Sequence, residues 1–161
     1  MSNRKEVLGK LWAHFNFSLN SLVDRIVLQK TIYVLSYLNY PNLGDYKKDF
    51  AMYIHGPYSP LLAHDAYDLS ENLKIKSGFS ETEEEKVSLF EESVKFAAEG
   101  NNKLEHFMAC ELVADIIFLY SNEKVRDENK LFEILKEKKT YFNDSAKVFA
   151  VANFLKEKKI I

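Results

Sequence analysis

Residues 50–73, FAMYIHGPYSPLLAHDAYDLSENL, constrain the fold more than any other stretch. An extended run over 50–54 stops at Gly56-Pro57, and order resumes at Ser59-Pro60. Gly56 can take backbone angles closed to other residues. Pro57 fixes its own φ and steers Gly56 away from the helical region. Ser59 is an N-cap residue, because its hydroxyl accepts from an unpaired N–H of the first turn. Pro60 then sits at the first helical position, where its missing N–H costs nothing. The stretch therefore predicts a short strand over 49–55, a sharp turn, and a helix over 60–72.

The flanking pattern is mostly helical. Val7, Leu8, Leu11, Trp12 and Phe15 recur at helical spacing and predict a helix over 3–17, with Trp12 in the core. A second helix runs over 21–38, capped by Ser21 and apolar on most sides, so it is central. After the third helix, residues 73–79 and 86–90 read as strands around an acidic loop at 81–85, because Val87 and Leu89 alternate. A short helix over 92–99 and helices over 103–120, 127–138 and 144–158 complete the chain. Helix, helix, strand, helix, β-hairpin is the order of a winged-helix module, with the third helix as recognition helix and the hairpin as wing. The predicted fold class is mainly α (α+β): a winged-helix-like core over about 1–100 with one small β-hairpin, and a helical C-terminal extension over about 101–161, in a single domain.

Composition narrows the function. The 161 residues carry a net charge of -2, so nothing pulls the whole chain toward nucleic acid or an anionic membrane. Cys110 is the only cysteine, which excludes an intrachain disulfide and any CxxC metal site. The N-terminal sequence lacks the apolar core of a signal peptide, and the longest apolar run, 112–120, is short and contains Asp115. A cytoplasmic protein with no membrane partner is the expectation. The motif Leu-Lys-Glu-Lys-Lys at 135–139 recurs at 155–159. Lysines there meet the negative ends of helix dipoles; phosphate-binding patches are the alternative.

Two stretches resemble a family. Leu28-Gln29-Lys30 in the second helix, then Gly56-Pro57-Tyr58-Ser59, Leu62, Asp65 and Leu69, are similar to the YwgA-like family of uncharacterised microbial proteins. The C-terminal half is similar to the tail of that family. More distantly the chain looks like the Panacea, or SocA-like, domain, which serves as an antitoxin or as an adaptor to a protease. His55 and Thr31 depart from the family pattern. The resemblance implies a fold and a class of role, and no catalytic residue.

The candidate chemistry is weighed residue by residue. The third helix carries Asp65, Asp68 and Glu71, offset only by His64 and by Lys74 just beyond its end, and the loop at 81–85 is acidic. Affinity for DNA rests on Lys and Arg at phosphates, so this helix is a poor reader of duplex. A non-standard basic surface remains the DNA-binding alternative. His64 and Asp68 fall on one helical face, but a metal site needs a third ligand, and none is placed by spacing. Cys110 lies in an apolar run and reads as a core thiol. There is no phosphate-binding glycine loop and no Gly-x-Ser-x-Gly. No cofactor, metal or catalytic residue is predicted.

The predicted role is a non-enzymatic protein-interaction module, antitoxin-like or adaptor-like. Tyr58, Tyr67, Asp68 and Glu71 are the candidate contact residues for a protein with a basic patch, such as a nucleic-acid-acting toxin; a homodimer is also open. Lys30, Tyr53, Gly56, Pro57, Ser59 and Asp65 form the structural or pocket set. A buried lysine needs a partner, so Lys30 bonds Asp65 or the Gly56–Ser59 turn and locks the second helix to the third. The alternative is that Lys30, Tyr53, Tyr58 and Asp65 line a partner pocket.

Overall fold

Short polar side chains start the helices. The hydroxyls of Ser21, Ser59 and Ser80 accept from Asp24 N, Leu62 N and Glu83 N at 3.1, 3.0 and 3.2 Å. The carboxylates of Asp127 and Asp144 do the same for the last two helices. Each satisfies an N–H that the helix cannot pair internally. The computed structural model describes residues 3–71 and 78–161. The elements are α1 (Asn3–Phe15), α2 (Leu22–Tyr37), α3 (Gly44–Asp49), β1 (Ala51–Tyr53), β2 (Gly56–Tyr58), α4 (Pro60–Glu71), α5 (Glu81–Ala98), α6 (His106–Ser121), α7 (Glu128–Lys138) and α8 (Ser145–Glu157).

Among the described residues the chain is mainly α with one small antiparallel hairpin, the class the sequence predicts. The hairpin lies elsewhere than expected. It pairs Ala51 with Tyr58 and Tyr53 with Gly56, ahead of α4. The predicted wing fails in its second half: residues 86–90 are helical, inside α5. Its first strand, through residue 77, falls outside the described residues. The reason is the capping box, in which Ser80 accepts from Glu83 N while Glu83 Oε1 accepts from Ser80 N at 2.8 Å. Glu81, Glu83 and Glu84 then sit at the positive end of the dipole, so the acidic run is a helix start and not a loop. Val87, Phe90, Val94 and Ala97 are buried at helical spacing. Glu83 also takes Lys10 Nζ at 2.9 Å and the Tyr40 hydroxyl at 3.0 Å. Burial opposes its charge, but these donors and Ser80 hold its carboxyl down at about 2.

Helices α2 and α6 pack along each other at the centre, with α5 against α6 and β2 wedged onto both. Every residue of α6 from 109 to 119 is buried. The segment read as a C-terminal extension therefore supplies a central helix of the core. Helix α3 was not foreseen; GDYKKD has no apolar period, and its one buried residue, Tyr46, is anchored by tertiary contacts. No helix among the described residues is long and apolar enough to cross a membrane.

Candidate functional site

Two reciprocal hydrogen bonds seat the hairpin and α4 on α2. Gln29 Nε2 donates to Ser59 O at 3.1 Å, and Ser59 N donates to Gln29 Oε1 at 2.8 Å. The Ser59 hydroxyl donates to Asp49 Oδ2 at 2.8 Å, and Leu61 N donates to the same oxygen at 2.9 Å. Ser59 is fully buried. A turn that buries its polar groups must pair them, and here α2 and the end of α3 do so.

A buried ionic cluster holds the turn from the other side. Lys30 on α2 donates to Pro57 O at 2.7 Å. Lys139, just after α7, donates to His55 O at 3.1 Å and to Asp115 Oδ2 at 2.8 Å, and lies 2.5 Å from Glu111 Oε2. The Tyr141 hydroxyl donates to Glu111 Oε1 at 2.5 Å. Glu111 and Asp115 are four residues apart on one face of α6, so two lysines face two carboxylates in the interior. Lys30, Glu111 and Asp115 are 1%, 0% and 1% exposed. Burial raises the Asp115 pKa against the opposing pull of Lys139 and Lys30. Burial lowers that of Lys30 to about 8, with Asp115 opposing. Asp115 Oδ1 finds no donor among the described residues. It lies against Gly56, where a Cβ would come within 2.1 Å of it.

Lys30 thus bonds the turn, as one branch of the sequence reading has it, and not Asp65. Asp65 is held from a different direction. It accepts from Arg4 Nε at 2.8 Å and from the Tyr46 hydroxyl at 2.7 Å. Burial pushes its carboxyl up, but these two donors outweigh burial and hold it below the usual range. Asp65 therefore ties α4 to α1 and α3, and it lies outside the groove described below. Breaking a buried pair typically costs about 3–5 kcal/mol, and Arg4 is only partly buried. Asp65→Ala is expected to lose about 3 kcal/mol in urea unfolding. A lowered folded pKa gives stability that is present above the unfolded value and is lost as pH falls through the folded one. The wild-type advantage over Asp65→Ala should therefore shrink in acid.

Between α2, the hairpin and α4 lies a groove with a cavity of about 350 Å³. Leu22, Arg25, Ile26 and Lys30 come from α2; Tyr53, Ile54 and Tyr58 from the hairpin; Ala63 and Tyr67 from α4. The Tyr53 and Tyr58 rings meet edge to face with centroids 5.1 Å apart. Ile54 at the turn is 84% exposed, and Leu22, Tyr53 and Tyr67 are each about half exposed. Exposed apolar side chains gathered around one concavity mark a binding surface more often than scattered ones do.

Of the predicted residues, the structure brings Lys30, Tyr53, Gly56, Tyr58 and Tyr67 to the groove. Pro57 and Ser59 support it from behind. Asp68 and Glu71 are exposed beyond Tyr67 on α4, with Asp68 3.2 Å from Lys5 Nζ and 3.7 Å from His64 Nδ1. Cys110 is buried, and burial pushes its thiol up to about 12. His106 Nε2 lies 3.6 Å from its sulfur, one helical turn away. A thiol so hard to ionise is a poor nucleophile. Among the described residues no three His, Cys, Asp or Glu are grouped to hold a metal ion.

Sequence reasoning missed Glu111, Asp115, Lys139 and Tyr141. The signal present was two carboxylates at i, i+4 inside an apolar helix, a spacing that puts both on one face. The twin lysine motifs are not equivalent: Lys139 is buried, whereas Lys159 is exposed. Comparison with protein-family models, with curated proteins and with solved structures finds no match to this chain.

Proposed function

We propose that the chain is a non-enzymatic protein-interaction module, antitoxin-like or adaptor-like, acting in the cytoplasm. The observation that carries the reading is the exposed apolar rim of Leu22, Tyr53, Ile54 and Tyr67, with Asp68 and Glu71 exposed further along α4. Aromatic anchors beside complementary charge are the usual make-up of a protein interface. Helix α4 contains no Lys or Arg; Lys5 of α1 meets Asp68 at 3.2 Å, and the exposed Glu71 beyond it favours a partner with a basic patch. The resemblance of the Leu28–Lys30 and Gly56–Ser59 stretches to the YwgA-like family, and more distantly to the Panacea domain, supports the same role. DNA gains no comparable support: Lys136, Lys156 and Lys158 each lie within 4.0 Å of a glutamate.

The test pairs two surface variants, Ile54→Asp and Asp68→Lys/Glu71→Lys. Exposed positions tolerate substitution within about 0.5 kcal/mol, so both should fold. Proteins retained by the wild type from native extract are identified by mass spectrometry, and the leading one is purified and titrated directly. We expect a lysine- and arginine-rich partner whose affinity drops about tenfold or more in each variant and falls with added salt. Folded variants that keep the wild-type affinity for every partner would remove this surface from the argument. Retention of duplex DNA in place of protein would promote the alternative, a winged-helix DNA-binding regulator that uses a non-standard basic surface.

A further inference from the structure

The groove is apolar in its walls and one-signed in its charges. Arg25 and Lys30 line it, and no aspartate or glutamate does. Lys30 is buried and committed to Pro57 O at 2.7 Å, with Asp115 attracting it from inside the protein. Arg25 is only partly buried. Its guanidinium donates one hydrogen bond, from Nη1 to Leu19 O at 3.0 Å, and no carboxylate lies within 4.0 Å of it among the described residues. Residues 1–2 and 72–77 contain no carboxylate side chain that could serve it. A half-buried guanidinium beside an apolar cavity has donors to spare, in the planar fork that suits a carboxylate. The rest of the lining is mostly apolar, with Leu19, Leu22, Ile26, Leu28 and Ala63 beside three tyrosines, and Gln29 and His55 are its other polar members. A cavity of about 350 Å³ is the size that encloses small organic ligands.

We infer that the groove is a binding site for a small amphipathic monocarboxylate, with the apolar body in the cavity and the carboxylate on Arg25. The site does not depend on a protein partner at α4, and it would be present in the isolated chain. A fatty acid and an aryl-alkanoic acid share this chemistry. The tyrosines suit the second and the aliphatic walls the first.

The test titrates the purified chain with decanoate, with phenylbutyrate and with decanol by calorimetry. Saturable one-to-one binding of at least one acid is expected, and the tighter acid identifies the source. Decanol, which has the chain without the charge, should bind about tenfold more weakly. Arg25→Gln should weaken the acid by about tenfold or more while circular dichroism stays unchanged. Ala63→Phe fills the cavity and should abolish binding. If that variant does not fold, a crystal soaked with ω-bromodecanoate places the tail by its anomalous signal. Absence of saturable binding for both acids overturns the inference, as does equal binding of decanol, indifference to Arg25→Gln, or bromine located outside the groove.

Discussion

Gly56→Ala is expected to destabilise the fold by about 3 kcal/mol or more. Gly56 sits at φ 97°, in the region that side-chain-bearing residues avoid. An alanine there would carry strain of about 1–2 kcal/mol from the backbone alone. Its Cβ would also stand 2.1 Å from Asp115 Oδ1 and 3.3 Å from Lys30 Cε. Neither side chain is free to swing away, since both are buried and held in the ionic cluster. Relief must come from moving the hairpin, and overpacking of that kind costs a further 1–3 kcal/mol or so. Gly44→Ala is the control: nothing lies within 4 Å of a Cβ there, and the change should stay within about 0.5 kcal/mol. Urea unfolding of the two variants reads the difference. Equal stabilities would mean that the turn is not pinned against α6.

Lys139→Met should cost about 3–5 kcal/mol at neutral pH. It strips the direct counter-charge from Glu111 and Asp115 and leaves His55 O without its donor. Lys30 remains, but it is committed to Pro57 O and makes no ion pair within 4.0 Å among the described residues. Asp115, whose pKa burial already raises, would lose the opposing pull of Lys139 and be driven further toward the neutral form. For such a group the folded state binds more protons, so stability falls as pH rises from the unfolded pKa to the folded one. The gap between wild type and Lys139→Met is therefore expected to widen as pH rises above the ordinary aspartate value of about 4. A triple variant that also carries Glu111→Met and Asp115→Leu should recover most of the loss, because an apolar replacement removes the uncompensated charges. A constant gap across that pH range would show that Lys139 acts through packing and not through charge.

These two variants probe the same joint from opposite sides. The hairpin presents Tyr53 and Ile54 to the groove, and its carbonyls are held by lysines from α2 and from the end of α7. Two buried lysines thus fix the position of an exposed turn. On the proposed function, a rim held in this way would lower the ordering cost of binding.

Local chemistry determined the turn and the cap. Gly56-Pro57, Ser59 and Pro60 act within a few residues of themselves, so the break, the Ser59 cap and the start of α4 were legible in the sequence. The same holds for the apolar period of α1 and α2 and for the mainly α class. Only the tertiary structure decided where the polar interior residues go. Lys30 and Asp65 are both buried and opposite in charge, yet Asp65 takes Arg4 and Tyr46, whereas Lys30 takes a backbone carbonyl. Charge type does not select among partners; distance after folding does. Residues 86–90 show a second limit. Their alternation is too short to distinguish strand from helix, and the reciprocal Ser80–Glu83 cap together with burial of Val87, Phe90 and Val94 settled it as helix. The groove is a third case. Its walls come from three elements spanning residues 19–67, and a concavity exists only once those elements pack.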